Sequence, residues 1–287
     1  MKLKFYLCRA CMVALVGGLP ATQEVRGAEL QPQTVAAWET YVRLTEQRIT
    51  AELDEGQRFL VTDFMSASES QRVRALLKRG GVYIRKMEIR DEEGRKMKVA
   101  AGMIHHWIGC IFVPDVSLSS VLDWVQDYDH HHRYFKEVER SKLLSREGDR
   151  FKIFFRLRRT KIITVFYNTD HTAIYRHRDA RRVSSRSFTT KIAQLENPGT
   201  SAEKEKPVGN DSGFLWRLNS YWRFQEEKGG VLVECESISL SRAMPLGLGW
   251  LIKSFVESVP RESLQNTLVS IREGINKKVG SGVPDRD

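Results

Sequence analysis

Arg186 is the residue whose type and setting point most directly at chemistry. In Ser184-Ser-Arg-Ser-Phe-Thr-Thr-Lys-Ile192 it shares strand parity with Phe188 and Ile192. If that parity faces a cavity, the guanidinium would fix a carboxylate or phosphate head group through two parallel hydrogen bonds. A buried guanidinium requires a partner, and with the opposite parity, or a strand bulge, Arg186 is solvated instead. His171, Tyr175 and His177 share one parity of another strand-like segment, which admits an acid–base role, but no Ser-His-Asp or Cys-His signature accompanies them. His130-His131-His132 invites a metal reading. Consecutive loop residues do not converge on one ion, and structural zinc motifs space their ligands by a few residues. This run reads as a solvated loop at a rim, and neither metal nor cofactor is expected. His105 and His106 are strand neighbours and point to opposite faces.

A second constellation is aromatic. From Phe214 to Phe224 the residues Phe214, Trp216, Leu218, Ser220, Trp222 and Phe224 share one parity, and Leu215, Arg217, Asn219, Tyr221 and Arg223 share the other. The pattern predicts a long strand with an apolar face and a polar face. Trp216, Trp222 and Phe224 would wall a pocket and Ser220 would supply a hydroxyl among them, since ligand pockets are mostly apolar with a few placed polar groups. Phe155 and Tyr175 from earlier strands, and Phe255 from the C-terminal segment, complete the candidate ligand-binding set with Arg186. The competing reading is a dry, close-packed core.

The elements that must position these residues follow from periodicity. Helices are expected over Thr34–Glu55 and Ser68–Arg79. Val82–Ile89 and Lys96–Ala100 read as a hairpin around Asp91–Gly94. His105–Val113 is a strand, and Ser117 caps a short helix over Leu118–Tyr128. The chain then alternates strands and turns: Val138–Leu144, Arg150–Leu157, Ile162–Tyr167, a turn at Asn168–Asp170, His171–Arg178 and Val183–Ala193. The longest loop spans Asn197–Gly213, and a final strand covers Val231–Leu240. Leu248, Ile252, Phe255, Val259, Leu264, Leu268, Ile271 and Ile275 form the stripe of a closing helix that Pro260 should kink or restart.

That order, over residues 101–277, is similar to the helix-grip fold of the START superfamily. His106–Pro114 resembles its first strand, and Val121–Tyr128 with Asp129 the helix and turn after it. Gly213–Phe224 and Val231–Pro245 resemble the last two strands before the gripped helix. Gly213–Phe224 and Gly247-Leu-Gly-Trp-Leu-Ile252 also resemble an exported bacterial subgroup. The resemblance implies an α+β protein: a curved antiparallel sheet wrapped around a long C-terminal helix, preceded by a helical N-terminal extension. It also implies a cavity for a lipid, quinone, polyketide or similar hydrophobic ligand. The main reading is therefore a non-enzymatic binding or transfer protein. A cyclase or aromatase using the same cavity is the alternative, with His171, Tyr175 or Arg186 as acid, base or anchor.

Charge and targeting complete the sequence reading. The formal charge of +10 is regional: residues 151–191 hold eleven Lys/Arg against Asp170 and Asp179. Basic residues alternating with apolar ones suit the outer face of a sheet, with an anionic membrane surface as a further partner. Nucleic acid is not expected. Lys2 and Lys4 before the apolar run Ala10–Leu19 and Pro20-Ala21 read as an export signal within residues 1–28, too short to span a bilayer. The expected organisation is an extension over 29–100, the helix-grip domain over 101–279 and a disordered tail over 280–287, in an exported, periplasmic or envelope-associated protein. Cys110 and Cys235 would either pair in that oxidising setting or act as two small buried residues.

Overall fold

The computed structural model describes residues 28–90, 93–160, 164–243 and 249–281, of which 28, 249–257 and 279–281 are described by backbone alone. The export signal and the tail beyond Ser281 lie outside these residues. The N-terminal part comprises β1 (Ala28–Glu29), α1 (Pro32–Asp54), a 3-10 turn over Val61–Phe64, α2 (Ala67–Lys78) and β2 (Tyr83–Lys86). Next come β3 (Gly102–Pro114), α3 (Leu118–Val125), a 3-10 turn over Tyr128–His130 and α4 (His131–Tyr134). The chain continues as β4 (Val138–Glu147), β5 (Arg150–Thr160), β6 (Thr164–Asp179), β7 (Arg182–Glu196), β8 (Lys204–Glu205) and β9 (Asn210–Asp211). It closes with β10 (Arg217–Glu227), β11 (Gly230–Arg242) and α5 (Gly249–Ser281).

The main sheet runs β2-β3-β11-β10-β7-β6-β5-β4, with β8 added beside β7, and its pairs are antiparallel. Its concave face receives α5. Leu264, Leu268, Ile271 and Ile275 join Ile111, Val113, Phe151, Tyr175, Phe224 and Val233 in one apolar cluster. Gly109 permits the close approach, because a Cβ there would lie 2.6 Å from Leu268 Cδ1. This is the α+β helix-grip arrangement, and the helix passes Pro260 as one element. The convex face is covered by the N-terminal segment. Pro32 starts α1, where its missing N–H is no loss. The buried stripe Thr34, Trp38, Tyr41, Thr45 and Ile49 follows helical spacing and packs with Trp216, Tyr221, Ile238 and Leu240.

Two local expectations are corrected, and the open alternative for Cys110 and Cys235 is decided in favour of two small buried residues. Asn168–Asp170 is not a turn: β6 runs through it, because Asn168 and Asp170 place their polarity on the convex side while Thr169 is buried on the other. Asn168 Nδ2 donates to Glu205 there, at 2.9 Å. The aromatic strand begins at Arg217, not Phe214. Gly213 takes φ 71° against the Arg242 side chain and turns the preceding residues out of register. Cys110 and Cys235 are free, and they point to opposite faces of the sheet, in the α2-side and α5-side clusters respectively.

Candidate functional site

Strand register decides which side chains share the concave face. Ala173, Ser187, Ser220, Ser237 and Trp107 are direct cross-strand partners along β6-β7-β10-β11-β3. The three serine hydroxyls therefore form a rung about 10 Å wide, two strand spacings. A second rung lies one step along. His171 sits opposite Thr189, Thr189 Oγ1 accepts the Leu218 N–H at 3.2 Å, and Leu218 sits opposite Ser239, which faces His105. Trp107 and Trp222 are half-buried beside the serines, and Phe155 is half-buried near His171 on the same face. Followed to the edges of the sheet, the first rung ends in Lys86 opposite Trp107 and in Arg146 opposite Phe151.

Two imidazoles here are held neutral by burial. His171 Nε2 lies 2.9 Å from Thr169 Oγ1, and burial pushes its pKa down to about 4. His131 is not on a solvated loop as the sequence suggested. It is buried, stacked 5.7 Å from Phe155, and 3.1 Å from the Val125 carbonyl. Burial lowers its pKa to about 4. A third, His105, places Nε2 3.0 Å from Ser241 Oγ. Among the described residues no group of His, Cys, Asp and Glu is arranged to hold a metal.

The candidate residues separate into three groups. Ser220 and Trp222 meet on the concave face, where Trp222 Nε1 donates to Ser220 Oγ at 3.1 Å, and Phe155 shares that face three strands away, against His131 and His171. Phe224 and Tyr175 share that face but are packed into the core. Tyr175 is tied to Tyr128 by a 2.8 Å hydroxyl–hydroxyl contact, and burial raises its pKa to about 12. Trp216 and Arg186 lie on the convex side. Trp216 precedes β10, packs under α1 and donates to Asp211 Oδ1 at 3.1 Å. Arg186 is displaced from Ile192's face by a bulge in β7, where the register against β6 shifts between Asp170 and His171. Its guanidinium is half exposed, stacks 5.0 Å from Phe188 and pairs with Glu46 of α1 at 2.9 Å. Phe255 belongs to α5, but its side chain lies outside the described residues.

Sequence reasoning missed Ser187, Ser237, Thr189 and Ser239. The readable signal was hydroxyls at two-residue steps, Ser185-Arg-Ser-Phe-Thr189 and Ser237-Ile-Ser-Leu-Ser241, which place one polar face inside a strand pair. It also missed the convex interior. Arg223 of β10 donates to the Phe59 carbonyl at 2.7 Å, pairs with Glu52 of α1 at 2.5 Å and lies 3.6 Å from Glu234. Glu234 accepts the Val61 N–H at 2.7 Å. Burial, opposed by Arg223 and that N–H, raises its pKa to about 7. Glu236 meets Arg48, and accepts from His106 Nε2 at 2.6 Å while His106 Nδ1 lies 2.8 Å from the Tyr41 hydroxyl. Burial works to raise the Glu236 pKa, but His106 and Arg48 outweigh it and hold it at about 2. These groups pair chiefly with one another, with Arg48 Nε and Glu236 Oε2 left without a hydrogen bond, which makes this face a structural joint. A groove of about 660 Å³ runs along α1, between Trp38 and Asp54. One helix face lines it, so no opposing wall converges on a ligand.

No family model matches the chain, and no curated protein matches it. Solved structures similar to it include a STAR-related lipid transfer protein from Xanthomonas axonopodis. The two are 15% identical with TM-score 0.44, covering 67% of this chain and 98% of the other. The protein TTHA0849 from Thermus thermophilus is 15% identical with TM-score 0.43, covering 63% and 99%. The Zhui aromatase/cyclase from a Streptomyces species is 13% identical with TM-score 0.42, covering 63% and 100%.

Proposed function

We propose that the concave face binds an uncharged hydrophobic ligand bearing several oxygen atoms. The observation that carries this reading is the serine rung Ser187–Ser220–Ser237 set beside Trp107 and Trp222. The three serines are half-buried, and Ser220 Oγ accepts from Trp222 Nε1, so the row is not sealed inside a packed core. A ligand that offers oxygen or hydroxyl groups satisfies the row, and its apolar body replaces water against the aromatic walls. The serines themselves offer no cation to an anionic head group; Lys86 and Arg146 stand at the two ends of the row, over Trp107 and Phe151. Titration of the delipidated protein with the uncharged dye Nile red checks this. A saturable emission increase, suppressed in Ser187→Leu and Ser220→Leu, is expected. Failure of the folded protein to bind the dye, with equal behaviour of both variants, removes the reading.

A second reading, acid–base catalysis on the same ligand, is favoured by one residue. His171 stands at the end of the second rung as a neutral imidazole. Tyr175 and Arg186 are no longer candidates for that role, being held by Tyr128 and by Glu46. Turnover of a bound poly-keto compound that disappears in His171→Asn would promote this reading over simple binding.

A further inference from the structure

The sheet has an outer half that α1 does not cover. Helix α1 packs over β3, β11 and β10, meets β7 where Glu46 pairs with Arg186, and touches β6 only at its end, where Asp54 lies 3.8 Å from Arg178. Beyond that line, strand parity places Arg140 and Lys142 of β4, Arg150, Lys152 and Arg158 of β5, and Arg176 of β6 on the outer surface. All six are exposed. None forms an ion pair among the described residues. The carboxylates nearby are engaged elsewhere: Glu139 and Glu203 with Arg156, Glu205 with Lys191, and Glu46 with Arg186. Asp170 and Glu147 are the acidic groups on these strands that share the surface, so the excess stays strongly positive. The β4 cations lie outside the basic stretch that sequence composition delimits. Only strand pairing brings them beside it.

Apolar groups interleave with these charges. Phe154 and Phe166 share the outer parity and are half-buried. Leu144 sits at the irregularity in β4 between Leu143 and Ser145, beside Lys142, and is 52% exposed. A leucine held out among lysines has no partner in water and none on a phosphodiester backbone, but it has one in the acyl boundary of a bilayer. The convex curvature also presents these groups to a plane rather than to a rod.

We propose that the outer surface of β4–β6 docks on a bilayer containing anionic phospholipid, with the six cations at head-group level and Leu144 inserted. Each basic residue near such a surface adds attraction that screening by salt removes. The test is co-sedimentation of the full chain with phosphatidylglycerol/phosphatidylcholine vesicles and with pure phosphatidylcholine vesicles. Binding to the mixed vesicles alone, falling steeply with salt, is expected. Combined Lys142→Glu, Lys152→Glu and Arg158→Glu should weaken partitioning by about a hundredfold or more. Leu144→Ser should weaken it by less and leave the salt dependence unchanged. All four positions are exposed, so an unchanged melting transition establishes that the variants are folded. Equal partitioning of the triple variant, absence of binding to mixed vesicles at low salt, or retention on single-stranded DNA without retention on vesicles would each overturn the proposal.

Discussion

The two faces of this sheet are made by the same strands and are closed by helices in opposite ways. On the concave side α5 lays Leu264, Leu268, Ile271 and Ile275 against an apolar floor; the polar groups across its middle are hydroxyls and imidazoles, and Arg159 at one end ties β5 to Ser263 and the Val259 carbonyl of α5. On the convex side α1 brings Arg48 and Glu52 onto Arg223, Glu234 and Glu236, all of them buried or nearly so. The convex charges have partners within the chain. The concave hydroxyls at Ser187 and Ser237 stand in a row with each other rather than with donors from a covering helix. The convex face pairs its charges within the chain, and the concave face leaves hydroxyls in line among half-buried aromatic rings, which is the arrangement the proposed binding role rests on.

The sharpest way to break the comparison is to remove one charge from the joint. Arg223→Met leaves the buried Glu234 without its cation and Glu52 with Arg48 alone, and breaking a buried pair in this way costs about 3–5 kcal/mol. Urea denaturation should show that loss. Adding Glu52→Gln and Glu234→Gln should recover most of it, because the remaining partners are then uncharged. A loss below about 1 kcal/mol for Arg223→Met would mean that the convex network holds nothing together.

Acid should act on the two faces differently. His131 and His171 have pKa values near 4 when folded, well below the ordinary imidazole value. The unfolded chain binds those protons first. Their contribution is complete above about pH 6.5 and is lost as pH falls through 4, by about 3 kcal/mol each at the limit. Glu234 works in the opposite sense. Its raised pKa makes the folded chain the stronger proton binder between about 4.5 and 7, so its favourable contribution is present at low pH and lost as pH rises through 7. Glu236 is held at about 2, so its contribution is lost only as pH falls from about 4.5 toward 2. Stability should therefore fall from about pH 6.5 to 4 with a slope near one net proton. His171→Asn should flatten that slope, and denaturation midpoints across the range measure it. The smallest effect belongs to Arg186→Ala. A half-exposed pair with Glu46 is worth about 0–1 kcal/mol, and ligand binding should not change.

The apolar skeleton of this fold was legible in the sequence. The Leu264–Ile275 stripe, the Ser117 cap and the Leu218–Phe224 alternation each follow from local spacing, and together they imply a sheet gripping a helix. The site was legible in part. Ser220, Trp222 and Phe155 were reachable because each lies on an uninterrupted strand parity. Arg186 was not, because one extra residue in β7 reverses its face and a bulge leaves no reliable mark in a single strand. The face of β10 that reads as polar and solvated, with Asn219, Tyr221 and Arg223, is in fact among the most buried, at 7%, 5% and 3% exposure. Its charges are matched by Glu52 and Glu234, far away in sequence, and no periodicity within β10 carries that information. The serine rung likewise exists only after three strands are placed in register.

Native mass spectrometry of the protein and of its Ser187→Leu/Ser220→Leu variant tests the central claim most directly. If the serine rung is the floor of a receptor, the unmodified protein carries an uncharged, oxygen-bearing hydrophobic molecule. The variant folds with a similar melting transition and arrives empty. If the two proteins carry the same load, or if both are empty and neither takes up a neutral lipid, the concave face is a packed core and not a binding site.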